Sequence, residues 1–101
     1  MSEDEGRYRI SPCFHFQEDK RFEIYSIEID PKGTGNSESH REGTEEFITV
    51  FDGEVTIRLD EAEYKINKGD SIRFKADRPH TYYNSGDTPT RLSMTIYYPV
   101  N

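Results

Sequence analysis

Short runs in which apolar and polar residues alternate follow one another along this chain from Tyr8 to Tyr98, and no segment holds a helical period. Val55, Ile57 and Leu59 share one parity in residues 54–60. Leu92, Met94, Ile96 and Tyr98 do so against Arg91, Ser93, Thr95 and Tyr97. A period of two is that of a strand with one buried face. Residues 8–10, 14–16 and 21–29 read the same way. In the last of these the apolar parity switches near Tyr25, from Phe22 and Ile24 to Ile27 and Ile29, which predicts either a β-bulge or a strand apolar on both faces.

Turn chemistry separates the runs. Pro31, Gly33, Gly35 and Asn36 mark residues 30–36 as a loop. Asp52-Gly53, set between the alternating runs 45–51 and 54–60, predicts a β-hairpin, and a second hairpin is predicted from residues 71–74 through the Pro79 turn to residues 80–83. Tyr64 and Ile66 prolong the pattern, and residues 67–70 turn again. Some eight to ten closely spaced strands imply an all-β sandwich or barrel, with a jelly roll as one solution and little or no helix.

A length of 101 residues accommodates one domain, placed at residues 7–101, with the acidic residues 1–6 expected as an unpacked tail or linker remnant. Apolar residues make up 32% of the chain, which implies a thin, sheet-built core. A net charge of −7 with scattered cations argues against direct nucleic-acid contact. No apolar run approaches the roughly 20 residues of a membrane-spanning helix, and the first residues lack the apolar region of a secretory signal. Cys13 is the one cysteine, beside Phe14; it reads as a small buried hydrophobe in a reducing compartment, and the cytoplasm is the expected location.

Chemistry concentrates at a few positions. His80, Tyr82 and Asn84 share one strand face, while Thr81 and Tyr83 take the other. Glu46 opens a strand whose Ile48 and Val50 look inward, so a buried carboxylate there requires a metal, a histidine or an arginine as partner. His40, Glu46 and His80 are a donor set for one divalent transition metal (Zn, Fe, Mn or Ni), with Glu38 as a further candidate two residues before His40. The same residues have plainer readings: a core histidine at His80, an exposed loop histidine at His40, a solvated carboxylate at Glu38. Tyr82 lines a pocket or packs in the core, Asn84 suits a turn, and His15 carries no site. Arg73, Arg78 and Arg91 either hold an anion or pair at the surface.

Residues 39–99 resemble a cupin, a double-stranded β-helix with two short motifs. Gly69, Lys75, Asp77, His80 and Asn84 match the spacing of the second motif, with Lys75 and Asp77 in place of its usual proline and glycine. Glu46 precedes Gly53 by seven positions as in the first motif, and of its upstream histidine pair only His40 remains. Residues 40–47, with Gly69-Asp70-Ser71 and Arg78-Pro79-His80, are most similar to the C-terminal cupin of bacterial regulators that carry an N-terminal helix-turn-helix domain. The resemblance implies a homodimer whose barrel senses a small-molecule effector through His80, Glu46, His40 and Tyr82, with DNA contact left to another domain. The alternative it implies is a small metal-dependent enzyme (isomerase, dioxygenase or decarboxylase) using His40, Glu46 and His80.

Overall fold

The structure is a computed structural model that describes residues 2–3, 8–15, 19–37 and 39–99. Among the described residues ten strands follow in order: β1 Ser2–Glu3, β2 Tyr8–Phe14, β3 Phe22–Ile29, β4 Thr34–Ser37, β5 Glu45–Asp52, β6 Glu54–Leu59, β7 Ala62–Asn67, β8 Ser71–Lys75, β9 His80–Tyr83 and β10 Thr90–Tyr97. They form two antiparallel sheets, β1-β2-β3-β10-β5-β8 and β4-β9-β6-β7, and no described residue is helical, as the alternation predicts.

Both predicted hairpins are corners instead. β5 pairs with β10 and β8, whereas β6 pairs with β7 and β9, so Asp52-Gly53 passes the chain from one sheet to the other. The turn residue is still required: Gly53 has φ +77, and a Cβ there would come within 2.7 Å of the Pro89 carbonyl. Residues 76–79 likewise carry the chain from β8, in the larger sheet, to β9, in the smaller one. The two-residue hairpin connects β6 to β7 through Asp60 and Glu61, with Asp60 at φ 56. Asp-Gly chemistry shows that the chain reverses; which strand the next one pairs with is settled by the other edges available. Residues 34–37, inside and just beyond the predicted loop, form β4 against β9.

The parity switch at Tyr25 resolves toward a strand apolar on both faces. β3 pairs with β10 without interruption, and the register break lies in β2 between Pro12 and Phe14. Cys13 is therefore the extra residue of a bulge and is exposed, which corrects its expected burial. The backbone of Ser2–Glu3 pairs with Tyr8 and Arg9, so two residues of the expected unpacked tail extend the sheet edge.

The core forms where the inner faces meet. Ile27, Ile29, Ile48, Val50, Leu92 and Met94 from the larger sheet meet Val55, Ile57, Ile66 and Tyr82 from the smaller one. At Gly35 the Tyr8 ring takes the place of a side chain: a Cβ would lie 2.2 Å from its Cε2. Asn84, fully buried, donates to the carbonyls of Ile29 (3.0 Å) and Thr88 (2.8 Å) and accepts from the Gly86 N–H (2.9 Å), the turn-capping role its surroundings predict.

Candidate functional site

One inward row of the larger sheet runs Glu23, Ile96, Glu46, Phe74 across β3, β10, β5 and β8. Pairing thus fixes Glu46 inside the barrel, where it is 1% exposed. From the smaller sheet, His80 and Tyr82 point at it along one face of β9. His40 arrives from the loop before β5, where its N–H donates to the Ala76 carbonyl at 2.9 Å.

Glu46 is the hub. Its Oε2 lies 3.1 Å from His80 Nε2 and 3.4 Å from His40 Nε2, and its Oε1 accepts the Tyr82 hydroxyl. His80 Nδ1 is 2.8 Å from the Arg78 carbonyl oxygen. A carbonyl only accepts, so Nδ1 carries a proton, and in neutral imidazole Nε2 is then an acceptor facing a carboxylate. With the Glu46 carboxyl ionised, as its lowered pKa requires, two states resolve that clash: an imidazolium, or a cation shared by Nε2 and Oε2.

The electrostatics agree with the first state for the metal-free protein. Burial alone pushes the His80 imidazolium toward deprotonation, but the hydrogen bond and charge of Glu46, with the Arg78 carbonyl, outweigh it and raise the pKa. Burial likewise pushes the Glu46 carboxyl up, and the hydrogen bonds of His40, His80 and Tyr82 with the His80 charge bring it below its ordinary value. Burial, then the Glu46 charge, drives the Tyr82 hydroxyl well above the usual phenol range.

The donors also suit the second state. One ligating atom each from His40, Glu46 and His80 lies within 4.8 Å of the others. Donors about 2.1 Å from one ion stand roughly 3–3.5 Å apart in tetrahedral or octahedral arrangements, close to the 3.1 and 3.4 Å that separate Glu46 Oε2 from His80 and His40 Nε2. The Arg78 carbonyl holds the far nitrogen of His80, as an outer-shell partner of a metal-bound imidazole does. Glu38 lies outside the described residues.

A cavity of about 390 Å³ opens over this hub. Tyr8, Ile10, Tyr25, Met94, Ile96 and Tyr98 supply much of its wall, and Glu46, His40, Tyr82 and Glu23 its polar points. His80 stands behind Glu46, its side chain fully buried, and reaches the cavity through that carboxylate. A larger depression of about 590 Å³ beside the β6–β7 turn is lined by Asp60, Lys75 and Arg78, and there Arg78 is already ion-paired to Asp60 at 3.0 Å.

The structure thus brings His40, Glu46, His80 and Tyr82 together. It does not gather the three arginines into an anion site: Arg78 pairs with Asp60 and Asp77, while Arg73 and Arg91 lie on the outward face of the larger sheet. His15 is exposed and away from the hub. Sequence reasoning gave no site role to Glu23, Tyr25, Tyr98 or Asp77. Glu23 accepts hydroxyls from Tyr98 (2.7 Å) and Tyr25 (3.1 Å) at the cavity wall; its signal was an acid in phase with the inward residues Ile27 and Ile29. Asp77 accepts the Gly43 N–H at 3.2 Å and ties the crossover before His80 to the loop after His40.

Known proteins share this arrangement of strands. The cupin domain family matches residues 26–97. The HTH-type transcriptional regulator SutR of Escherichia coli is 30% identical over 90 residues, which are 89% of this chain and 51% of the regulator. The chain therefore spans about half the length of that curated relative. The cupin domain of an XRE family transcriptional regulator from Enterobacter cloacae superposes with a TM-score of 0.88 at 29% identity, over 93% of this chain and 99% of that one. An HTH_3 family transcriptional regulator from Vibrio cholerae gives 0.88 at 27% identity, over 96% of this chain and 54% of its own.

Proposed function

The chain belongs to the cupin family, and on that footing we propose that it is the effector-sensing and dimerising domain of a transcriptional regulator, with residues 7–101 as its one barrel and Ser2–Glu3 added at the edge of the larger sheet. The observation that carries this reading is the polar hub at the base of an apolar-walled cavity, in a fold shared with regulator-associated cupin domains. A ligand in the cavity meets His40, Glu46 and Tyr82 directly and His80 through Glu46. Binding would bias a partner domain in so far as the ligand favours one arrangement of the barrel over another.

Dimerisation has a candidate surface. Cross-strand pairing places Phe14, Ile24, Thr95 and Phe47 in one outward row of the larger sheet, with Phe22 and Tyr97 in the next. Phe14 is 62% exposed and Phe47 39%, so the face presents aromatic area to water. The composition and the cupin relatives fit a cytoplasmic protein, and a small-molecule effector and a second copy of the chain are the partners this reading names.

The donor trio favours a second reading, a small metal-dependent enzyme. A bound divalent ion would supply Lewis-acid polarisation of a ligand oxygen. His40, Glu46 and His80 would hold it, Arg78 would orient His80 through its carbonyl, and the apolar wall would keep water from the ligand.

Elemental analysis of the purified, tag-free chain separates the two. Sensing without metal predicts a metal-free folded dimer whose ligands, found by thermal-shift screening, are lost in Glu46→Gln. About one transition-metal ion per chain, absent from His80→Ala, turns the reading to the metal-dependent one. Failure of every screened ligand in a metal-free dimer leaves dimerisation alone.

A further inference from the structure

Arg21 and Arg41 converge on one uncharged acceptor. Nη2 of each donates to the Pro99 carbonyl oxygen at 2.8 Å, so the two nitrogens are no farther apart than twice that distance. Nε of Arg21 is buried and has no acceptor among the described residues. Among the same residues, no carboxylate lies within ion-pair distance of either guanidinium.

That arrangement is unbalanced as it stands. Two permanent positive charges repel at this range, and a single carbonyl cannot neutralise them. A buried guanidinium N–H without an acceptor is a further cost. Both deficits disappear if an oxyanion takes the fork-like donors the pair presents.

The position gives the ligand its shape. Arg21 and Arg41 line a depression of about 550 Å³ with Glu23 and Tyr98. Glu23 and Tyr98 also line the cavity over Glu46, so the two spaces adjoin at these residues. The shared carboxylate is engaged on Oε1 by the Tyr25 and Tyr98 hydroxyls. Beyond it lie Ile10, Met94 and Ile96.

We infer that Arg21 and Arg41 form the anion-binding end of the ligand site, which takes small organic carboxylates: the carboxylate on the two guanidiniums, the apolar body in the cavity between Tyr98 and Ile96. This deepens the effector-sensing reading and rests on it for the cavity, while the anion site itself rests on the arginine geometry.

The test is thermal unfolding of the 101-residue chain against sodium hexanoate at constant ionic strength, with acetate and inorganic phosphate as comparison arms. Hexanoate raises the unfolding midpoint saturably. Its apparent affinity falls at least tenfold in Arg21→Gln and in Arg41→Gln, and is unchanged in Arg73→Gln, which removes a cation from the opposite face of the sheet. Acetate, having the head without the body, binds the same arginines more weakly. Arg41 is exposed, so its variant folds. A hexanoate response that survives in Arg41→Gln, or no saturable response to any probe, overturns the proposal; phosphate binding as tightly as hexanoate overturns the organic ligand class. In each of those cases ligand or metal binding that depends on Glu46 would leave the effector reading standing.

Discussion

Nε2 of His80 and Oε2 of Glu46 stand 3.1 Å apart across the gap between the two sheets, in a place where neither side chain reaches solvent. Because the Arg78 carbonyl claims the proton on Nδ1, the pair is held together in the metal-free protein by a second proton on the imidazole. Glu46→Gln removes the charge while keeping the volume. Hydrogen bonds to charged groups contribute about 1.5–3 kcal/mol, so the metal-free variant should lose about 2 kcal/mol in urea unfolding at neutral pH. An unchanged midpoint would show that the pair adds nothing to the fold.

Asp77 ties the crossover before His80 to the loop after His40, so acid that neutralises its carboxylate should loosen that tie. The Gly43 N–H is the main influence, partial burial opposes it, and Arg78 reinforces it; the net effect holds the carboxyl below its ordinary value. A carboxylate whose pKa is depressed by folding stabilises the protein above its unfolded-state pKa of about 3.9 and loses that contribution as pH falls through the folded value. Wild type should therefore exceed Asp77→Asn in stability at pH 6, with the difference closing below about pH 4. A difference that stays constant from pH 6 to pH 3 would rule out the clamp.

Gly35 leaves the Tyr8 ring a place against β4. A methyl group there meets ring carbons at 2.2–2.6 Å, so Tyr8 must move away from the cavity wall it helps to form. Overpacking of this kind costs about 1–3 kcal/mol. Gly35→Ala should lower the unfolding midpoint, and Gly35→Ala combined with Tyr8→Leu should recover part of the loss. No recovery in the double variant would place the strain elsewhere.

Phe47 sits in the middle of the outward aromatic row, beside Thr95 of β10 and Arg73 of β8. Its side chain faces away from the core, so Phe47→Asp should leave the fold intact while weakening self-association. Sedimentation of wild type and variant at matched concentrations checks this: a dimer that becomes a monomer is the expected result, and equal sedimentation would remove this face from the interface.

Much of this architecture was legible in the residues alone. Period-two alternation marks which side chains of β6, β9 and β10 turn inward, because successive side chains of a strand point to opposite faces whatever the strand pairs with. Burial of Val55, Ile57, Leu92, Met94, Ile96, His80 and Tyr82 follows from parity, as does the inward carboxylate of Glu46. Spacing from Gly69 to Asn84 identified the cupin family for the same reason, since a motif records local turns and inward positions.

Partnership was not legible. Asp52-Gly53 and residues 76–79 announce chain reversal, yet each leads to the opposite sheet, because strand pairing depends on which edges lie free after the whole barrel closes. Cys13 was expected inside and lies outside, since a register break in β2 shifts it out of the ladder. The convergence of Arg21 with Arg41 on Pro99 joins residues far apart in sequence, and no local pattern announces it. Sequence determined most of the strands, though not β1 or β4, with their buried faces and the family; the tertiary structure alone decided which strands meet, and therefore that His40, Glu46, His80 and Tyr82 share one point. Pairing between sheets is a property of the closed barrel, and backbone hydrogen bonds carry no residue-specific code that would reveal it beforehand.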